Sequence, residues 1–167
     1  MSKISIVNVR ESPVEGGFFA ASGGLVVRAE MLAIQTEQRV EITDVTERLL
    51  AVTRESGVRE GIVSLWSMHT TLAVFINESQ KALHADIERL LEMMVARDNA
   101  WMHNDPHHSD CDRLNADAHL RAMLLGHSLT LQVSGGALVL GQWQRVLVAE
   151  LDGPRARTLR VQIMGIG

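Results

Sequence analysis

The chain predicts an α+β fold: a single compact domain, mainly antiparallel sheet, with about three helices packed on it. Three observations point there. Short apolar and β-branched segments recur along the sequence, several with the period of two that marks a half-buried strand. Three stretches carry helical spacing between capping residues and glycine stops. No internal repeat, low-complexity tract or composition break divides the 167 residues, so the domain is read as residues 1–167.

In chain order, residues 3–9 (KISIVNV) alternate as a strand, and the Gly-rich ESPVEGGFFAASGG after them reads as a loop or an extension. Gly24 to Thr36 reads as a long strand and Arg39 to Ile42 as a short one. Thr43 or Asp44 can cap a helix that runs through VTERLLAVTRES to Gly57, with Val45, Leu49 and Val52 on one face. Gly61 to Met68 and Leu72 to Ile76 are apolar strands separated by His69, Thr70 and Thr71. Ser79 can cap a second helix from about Gln80 to Arg97, with a core stripe of Leu83, Ile87, Leu90, Leu91 and Met94. An acidic, His-rich loop over 98–114 leads to a third helix from about Asn115 to Leu125, ended by Gly126. SLTLQV, SGG and ALVL then read as a hairpin. QRVLVAEL is a further strand, and TLRVQIMG alternates with Leu159, Val161 and Ile163 on one side. Between those two lies the Gly-Pro turn of LDGPRAR.

Composition narrows the function. With 46% hydrophobic and 22% charged residues, the chain is a globular protein. A net charge of −4 without a basic block, with three Trp, three Phe and no Tyr, argues against a nucleic-acid partner. The single cysteine, Cys111, precludes an internal disulfide and fits a reducing compartment. No run approaches about 18 apolar residues and no signal-peptide core is present, so no membrane partner is expected and the expected location is the cytoplasm.

The segment Trp101 to Gly126 concentrates four of the seven histidines, four aspartates and the cysteine. His69 at a strand end, His103 in the loop and His119 on the third helix could converge on a divalent metal, since neutral imidazole is the commonest side-chain ligand. Their spacing matches no short metal motif, and three separate hydrogen-bonding histidines are the competing reading. Protonated histidines gathered around an anion look the same in sequence. His119 stands four residues after Asn115, so both project from one face. His107 and His108 read as parts of a solvated loop, and His84 and His127 as structural. Glu150, late in an apolar strand, needs a job or a partner, the candidates being Arg145, Arg155 and Arg157. Cys111 lies among acids, which raise a thiol pKa and argue against a nucleophile. Thr70 and Thr71 beside His69, with Arg155 and Arg157, suit a phosphate or carboxylate. Neither GxxxxGK[ST] nor GxGxxG occurs, so ATP and dinucleotides are unsupported.

Five motifs in order carry a family resemblance: HTTLAVFINE (His69–Glu78), Asp86, HND (His103–Asp105), NADAHLRAMLLG (Asn115–Gly126) with Ser128, and LGQWQRVLVAELDGPR (Leu140–Arg155). From about Leu25 to the C-terminus the chain resembles the YjbQ family, also called UPF0047, whose members are labelled secondary thiamine-phosphate synthase enzymes. Residues 1–23 lie outside the resemblance. It implies a homotrimeric α+β domain with a pocket near a subunit interface. His69, His103, His119 and Glu150 would be catalytic. Thr70, Thr71, Asn77 and Arg155 would bind substrate, and the three histidines could hold a metal such as Zn²⁺ or Mg²⁺. The implied reaction joins a pyrimidine diphosphate to a thiazole phosphate and releases pyrophosphate. The alternative is a non-catalytic binding or regulatory protein for a small anionic metabolite. Two departures stand out: Gln142 occupies a position where members more often have Thr, and the loop carries the additional His107 and His108.

Overall fold

The computed structural model describes residues 23–167. The strand expected over 3–9, and nearly all of the Gly-rich stretch after it, lie outside the described residues. Eight strands and three helices follow: β1 (Leu25–Gln35), β2 (Glu41–Asp44), α1 (Thr46–Ser56), β3 (Glu60–Ser67), β4 (Leu72–Asn77), α2 (Lys81–Met94), α3 (Ala116–Leu125), β5 (Ser128–Ser134), β6 (Ala137–Leu138), β7 (Arg145–Glu150) and β8 (Ala156–Ile166). A 3-10 turn at Met102–Asn104 breaks the long loop before α3.

The strands form two antiparallel sheets, one in the order β1-β8-β3-β5-β6 and the other β2-β7-β4. Strand alternation explains how they stack. Leu159, Val161 and Ile163 of β8 and Val63 and Leu65 of β3 face Val146, Val148, Leu72 and Val74 of the smaller sheet, with Leu49 of α1 in the same core. The opposite face of the smaller sheet offers Ala73, Ala149 and Leu151 to Leu91 of α2 and Ala118 and Ala122 of α3. Being covered on both sides, β7 is buried from Val146 to Glu150 without alternation. The order of layers is therefore sheet, sheet, helices.

Local chemistry accounts for the element ends. Asp44 Oδ1 accepts the Thr46 N–H at 2.9 Å at the start of α1. The α2 cap falls one residue later than Ser79, where the Gln80 side chain accepts the Leu83 N–H at 3.0 Å. The expected hairpin forms through Gly135 and Gly136, whose φ values of 59° and 82° suit a two-residue turn. Its second strand is only Ala137–Leu138, with one further bond from the Val139 N–H to the Gln132 carbonyl at 2.9 Å before the chain departs. The short strand expected at Arg39 to Ile42 begins instead at Glu41, because its partners on β7 run from Glu150 to Leu147. The α2 stripe is narrower than its spacing implies. Leu91 is buried and Ile87 packs on the helix-side core, while Leu90 and Met94 are exposed. A helix lying on one sheet face covers the 83–87–91 ridge and leaves the neighbouring 90–94 ridge outside.

Candidate functional site

At one end of the sandwich β7 finishes, β8 starts, and the β3–β4 connection crosses between the sheets. Glu150 and Arg157 meet there. Both follow the inward parity of their strands, Glu150 with Val146 and Val148, Arg157 with Leu159 and Val161. They form a two-pronged pair, Arg157 Nε to Glu150 Oε2 and Nη2 to Oε1 each at 2.5 Å, nearly inaccessible to solvent. The carboxylate also accepts the backbone N–H groups of Leu151 and Asp152 at 2.9 and 2.8 Å and the Thr36 hydroxyl at 3.2 Å. Arg157 Nη2 donates to Thr71 Oγ1 at 2.9 Å, which ties the β3–β4 connection to β8. Of the three candidate partners for Glu150, the structure selects Arg157.

A second buried carboxylate, Asp152, gathers three further arginines. Asp152 is 1% exposed and accepts hydrogen bonds from Arg39 Nη1 (3.2 Å), Arg113 Nε (3.0 Å) and Asn115 Nδ2 (2.9 Å), with Arg155 Nη2 in ion-pair contact at 3.2 Å. Gly153 follows in a tight passage. A Cβ there would stand 2.3 Å from the Gln38 carbonyl oxygen and 2.8 Å from Glu150 Cγ, so a side chain would push the turn away from Glu150.

Above this floor lies an open cavity of about 350 Å³. Its walls include His69, His103 and His119 from a connection, the 3-10 turn and α3, together with Arg113, Arg155 and Arg157. Thr70, Thr71, Asn115 and Cys111 complete the polar lining. The wall residues include no carboxylate; Glu150 and Asp152 lie behind the arginines they hold. Another cavity of about 400 Å³, between β1 and α1, presents Arg28, Glu30 and Glu55 but no histidine.

The three histidines differ. His69 extends the β3–β8 ladder: past the Ser67↔Leu159 pair, its Nε2 accepts the Thr158 N–H at 3.0 Å in place of a main-chain carbonyl. Accepting that bond requires an unprotonated Nε2, which leaves the ring proton on Nδ1; burial, with the nearby Arg157 charge, lowers the pKa against the pull of Glu150. His103 and His119 pack edge to face, ring centroids 5.1 Å apart. Burial and then the charge of His103 depress the pKa of His119, with Asp152 and Asp117 opposing. Asn104 Oδ1 accepts the Ala116 N–H at 3.0 Å and so fixes the 3-10 turn against the start of α3.

Among the described residues, no group of three or more His, Cys, Asp or Glu side chains is arranged to hold a metal ion. His69 also has its Nε2 lone pair engaged by a backbone amide. The donor set His69, His103 and His119 therefore does not fit a metal as built, for Zn²⁺ or Mg²⁺ alike.

Other expected residues fall elsewhere. Asn77 is at the far end of β4, opposite Arg145, roughly 17 Å of strand from Leu72, and its Oδ1 accepts the Glu78 N–H. It does not join the cavity. Glu150 is beneath the cavity floor as the counter-ion of Arg157, not on its wall. His107 and His108 are exposed in the loop, as expected. Arg113, Asp152 and Arg39 are the site residues that sequence reading passed over. Asp152 sits inside ELDGPR beside Glu150 and pairs with Arg155 of the same segment, but Arg39 and Arg113 arrive from distant segments.

The fold and its cavity define a small two-sheet α+β protein with an arginine- and histidine-lined pocket at one end of the sandwich. Residues 30–166 match the model of the family described as UPF0047 protein YjbQ-like, and the chain belongs to that family. A UPF0047 protein of Methanothermobacter thermautotrophicus is 44% identical over 139 residues, covering 83% of this chain and 93% of that protein. YugU of Bacillus subtilis, also a UPF0047 protein, is 33% identical over 136 residues, or 80% of this chain and 97% of YugU. The crystal structure of a YbjQ-like protein of unknown function from Sulfolobus solfataricus P2 superposes with a TM-score of 0.79 at 31% identity. It covers 85% of this chain and 99% of that one.

Proposed function

We propose that the protein is an enzyme acting on a small phosphate-bearing substrate in the cavity between the β3–β4 connection, the 3-10 turn and α3. One observation carries this reading: three arginines and three histidines line one cavity whose wall holds no carboxylate. The arginines are held in place by the buried Glu150 and Asp152, so little side-chain entropy is lost when an anion binds. Burial and the neighbouring His103 depress the His119 pKa, which favours the unprotonated ring that a proton acceptor needs. The family resemblance gives the reaction to try first, the joining of a pyrimidine diphosphate and a thiazole phosphate with release of pyrophosphate.

The test is a pyrophosphate-release assay with those two substrates and Mg²⁺ supplied with the diphosphate. Release by the wild-type chain that falls at least about 100-fold in His119→Gln supports the reading. Phosphate binding without turnover of this pair, or of a wider panel of phosphate esters, would make the protein a binding module instead.

The same reading includes assembly as a homotrimer. What supports it is the uncovered apolar ridge of α2, where Leu90, Met93 and Met94 are 53%, 73% and 58% exposed.

A further inference from the structure

His103 and His119 line a second cavity as well as the first. This neighbour, about 360 Å³, is otherwise walled by Trp101, Met102, Ala116 and Leu120. Residues 116, 119 and 120 share one face of α3, so the helix presents His119 toward the arginines and Leu120 on the apolar side. Across from it, the 3-10 turn supplies Trp101, Met102 and His103 in succession. The indole Nε1 of Trp101 donates to the Ala96 carbonyl at 2.9 Å, which fixes the ring and leaves it an apolar face with its polar edge satisfied. The edge-to-face imidazole pair thus forms the boundary between a cationic compartment and an apolar one.

We infer that the substrate spans both compartments: an amphipathic phosphate ester whose phosphoryl group sits among Arg113, Arg155 and Arg157 and whose flat apolar body lies against Trp101 and Leu120. The bond that joins the two halves then passes the histidine pair, where a proton can be given or taken. This rests on the proposal that the arginine cavity receives an anion, and adds the shape and polarity of the rest of the molecule. A substrate confined to the arginine cavity would have no use for an anchored indole on the far side of the imidazoles.

Inorganic phosphate and phenyl phosphate, titrated separately into the full chain by calorimetry, separate the two statements. Phenyl phosphate is expected to bind at least about tenfold tighter than phosphate, the gain expected from removing a phenyl ring from water. Leu120→Glu and, independently, Trp101→Ala should erase that advantage and leave phosphate affinity within about twofold, whereas Arg155→Ala should weaken both ligands. Equal affinity of the two ligands in the wild-type chain, with both weakened by Arg155→Ala, overturns the amphipathic substrate and leaves the anion cavity standing. If neither ligand binds, the anion cavity itself is refuted and this inference falls with it.

Discussion

At the scale of single residues, Glu150 governs the site from behind Arg157, which lines the cavity while its carboxylate partner does not. Removing one partner of such a pair leaves a charge buried without compensation, at a cost of about 3–5 kcal/mol. Glu150→Gln should accordingly lower unfolding free energy by about that amount in denaturant titrations. Glu150→Asp, which keeps the charge but shortens the reach, should lose less. Glu150 was legible as a residue in need of a partner, because a carboxylate in an apolar strand demands one. The choice among three arginines required the strand parity of β8, which puts Arg157 in line with Leu159 and Val161, while the sequence placed Arg157 in the turn. Asn77 illustrates the opposite error. It shares a contiguous motif with His69, but an extended strand carries the two ends of that motif apart. The histidines also make a statement about metal. Since His69 Nε2 accepts a backbone amide, dialysis against EDTA should leave both thermal unfolding and phosphate affinity unchanged. Loss of either after chelation, restored by one divalent ion per chain, would reinstate the three-histidine metal set.

At the scale of elements, the site exists because three irregular connections meet at one end of the sandwich: His69 to Thr71, the loop through the 3-10 turn, and the Gly-Pro turn before β8. Strands and helices were readable from period and caps, since those signals are local. The convergence of the connections was not, because it depends on which strands pair and which end of the sandwich each loop joins. Arg113 shows why: in the sequence it is one charge in an acidic loop, and only the folded chain brings it within 3.0 Å of Asp152. Arg121 performs a similar service for the helices. Its guanidinium is buried, pairs with Glu92, and donates through Nε and Nη2 to the Val95 carbonyl at 3.1 and 2.7 Å. This closes the C-terminal end of α2 against α3. Arg121→Met should therefore increase amide exchange selectively in residues 91–97, with β7 and β8 protected as before; uniform loss of protection would mean that the helix pair and the sheets unfold as one unit.

At the scale of the whole molecule, proton linkage and assembly give further expectations. His69 and His119 have folded-state pKa values below 6.5, while in the unfolded chain they titrate near 6.5. Above that pH both states hold the rings neutral and stability is flat. As pH falls below about 6.5 the unfolded chain takes up protons first, so stability declines until the folded-state values are passed. Unfolding free energies measured from pH 7.5 to 5 should show this fall, and His119→Asn should make it shallower. For assembly, light scattering should give three times the chain mass, and Leu90→Glu with Met93→Glu should convert it to monomer. The described helices include none long and apolar enough to cross a membrane.

His69, His103 and His119 line one cavity with Arg113, Arg155 and Arg157, and an anion bound there would touch all three rings. Histidine ring resonances followed by NMR during a titration with inorganic phosphate decide whether it does. The signals of these three histidines should shift together along one binding curve while His84 and His127 stay still, and Arg155→Ala should flatten the curve. Shifts confined to the exposed His107 and His108, or none at all up to tens of millimolar phosphate, would contradict that contact.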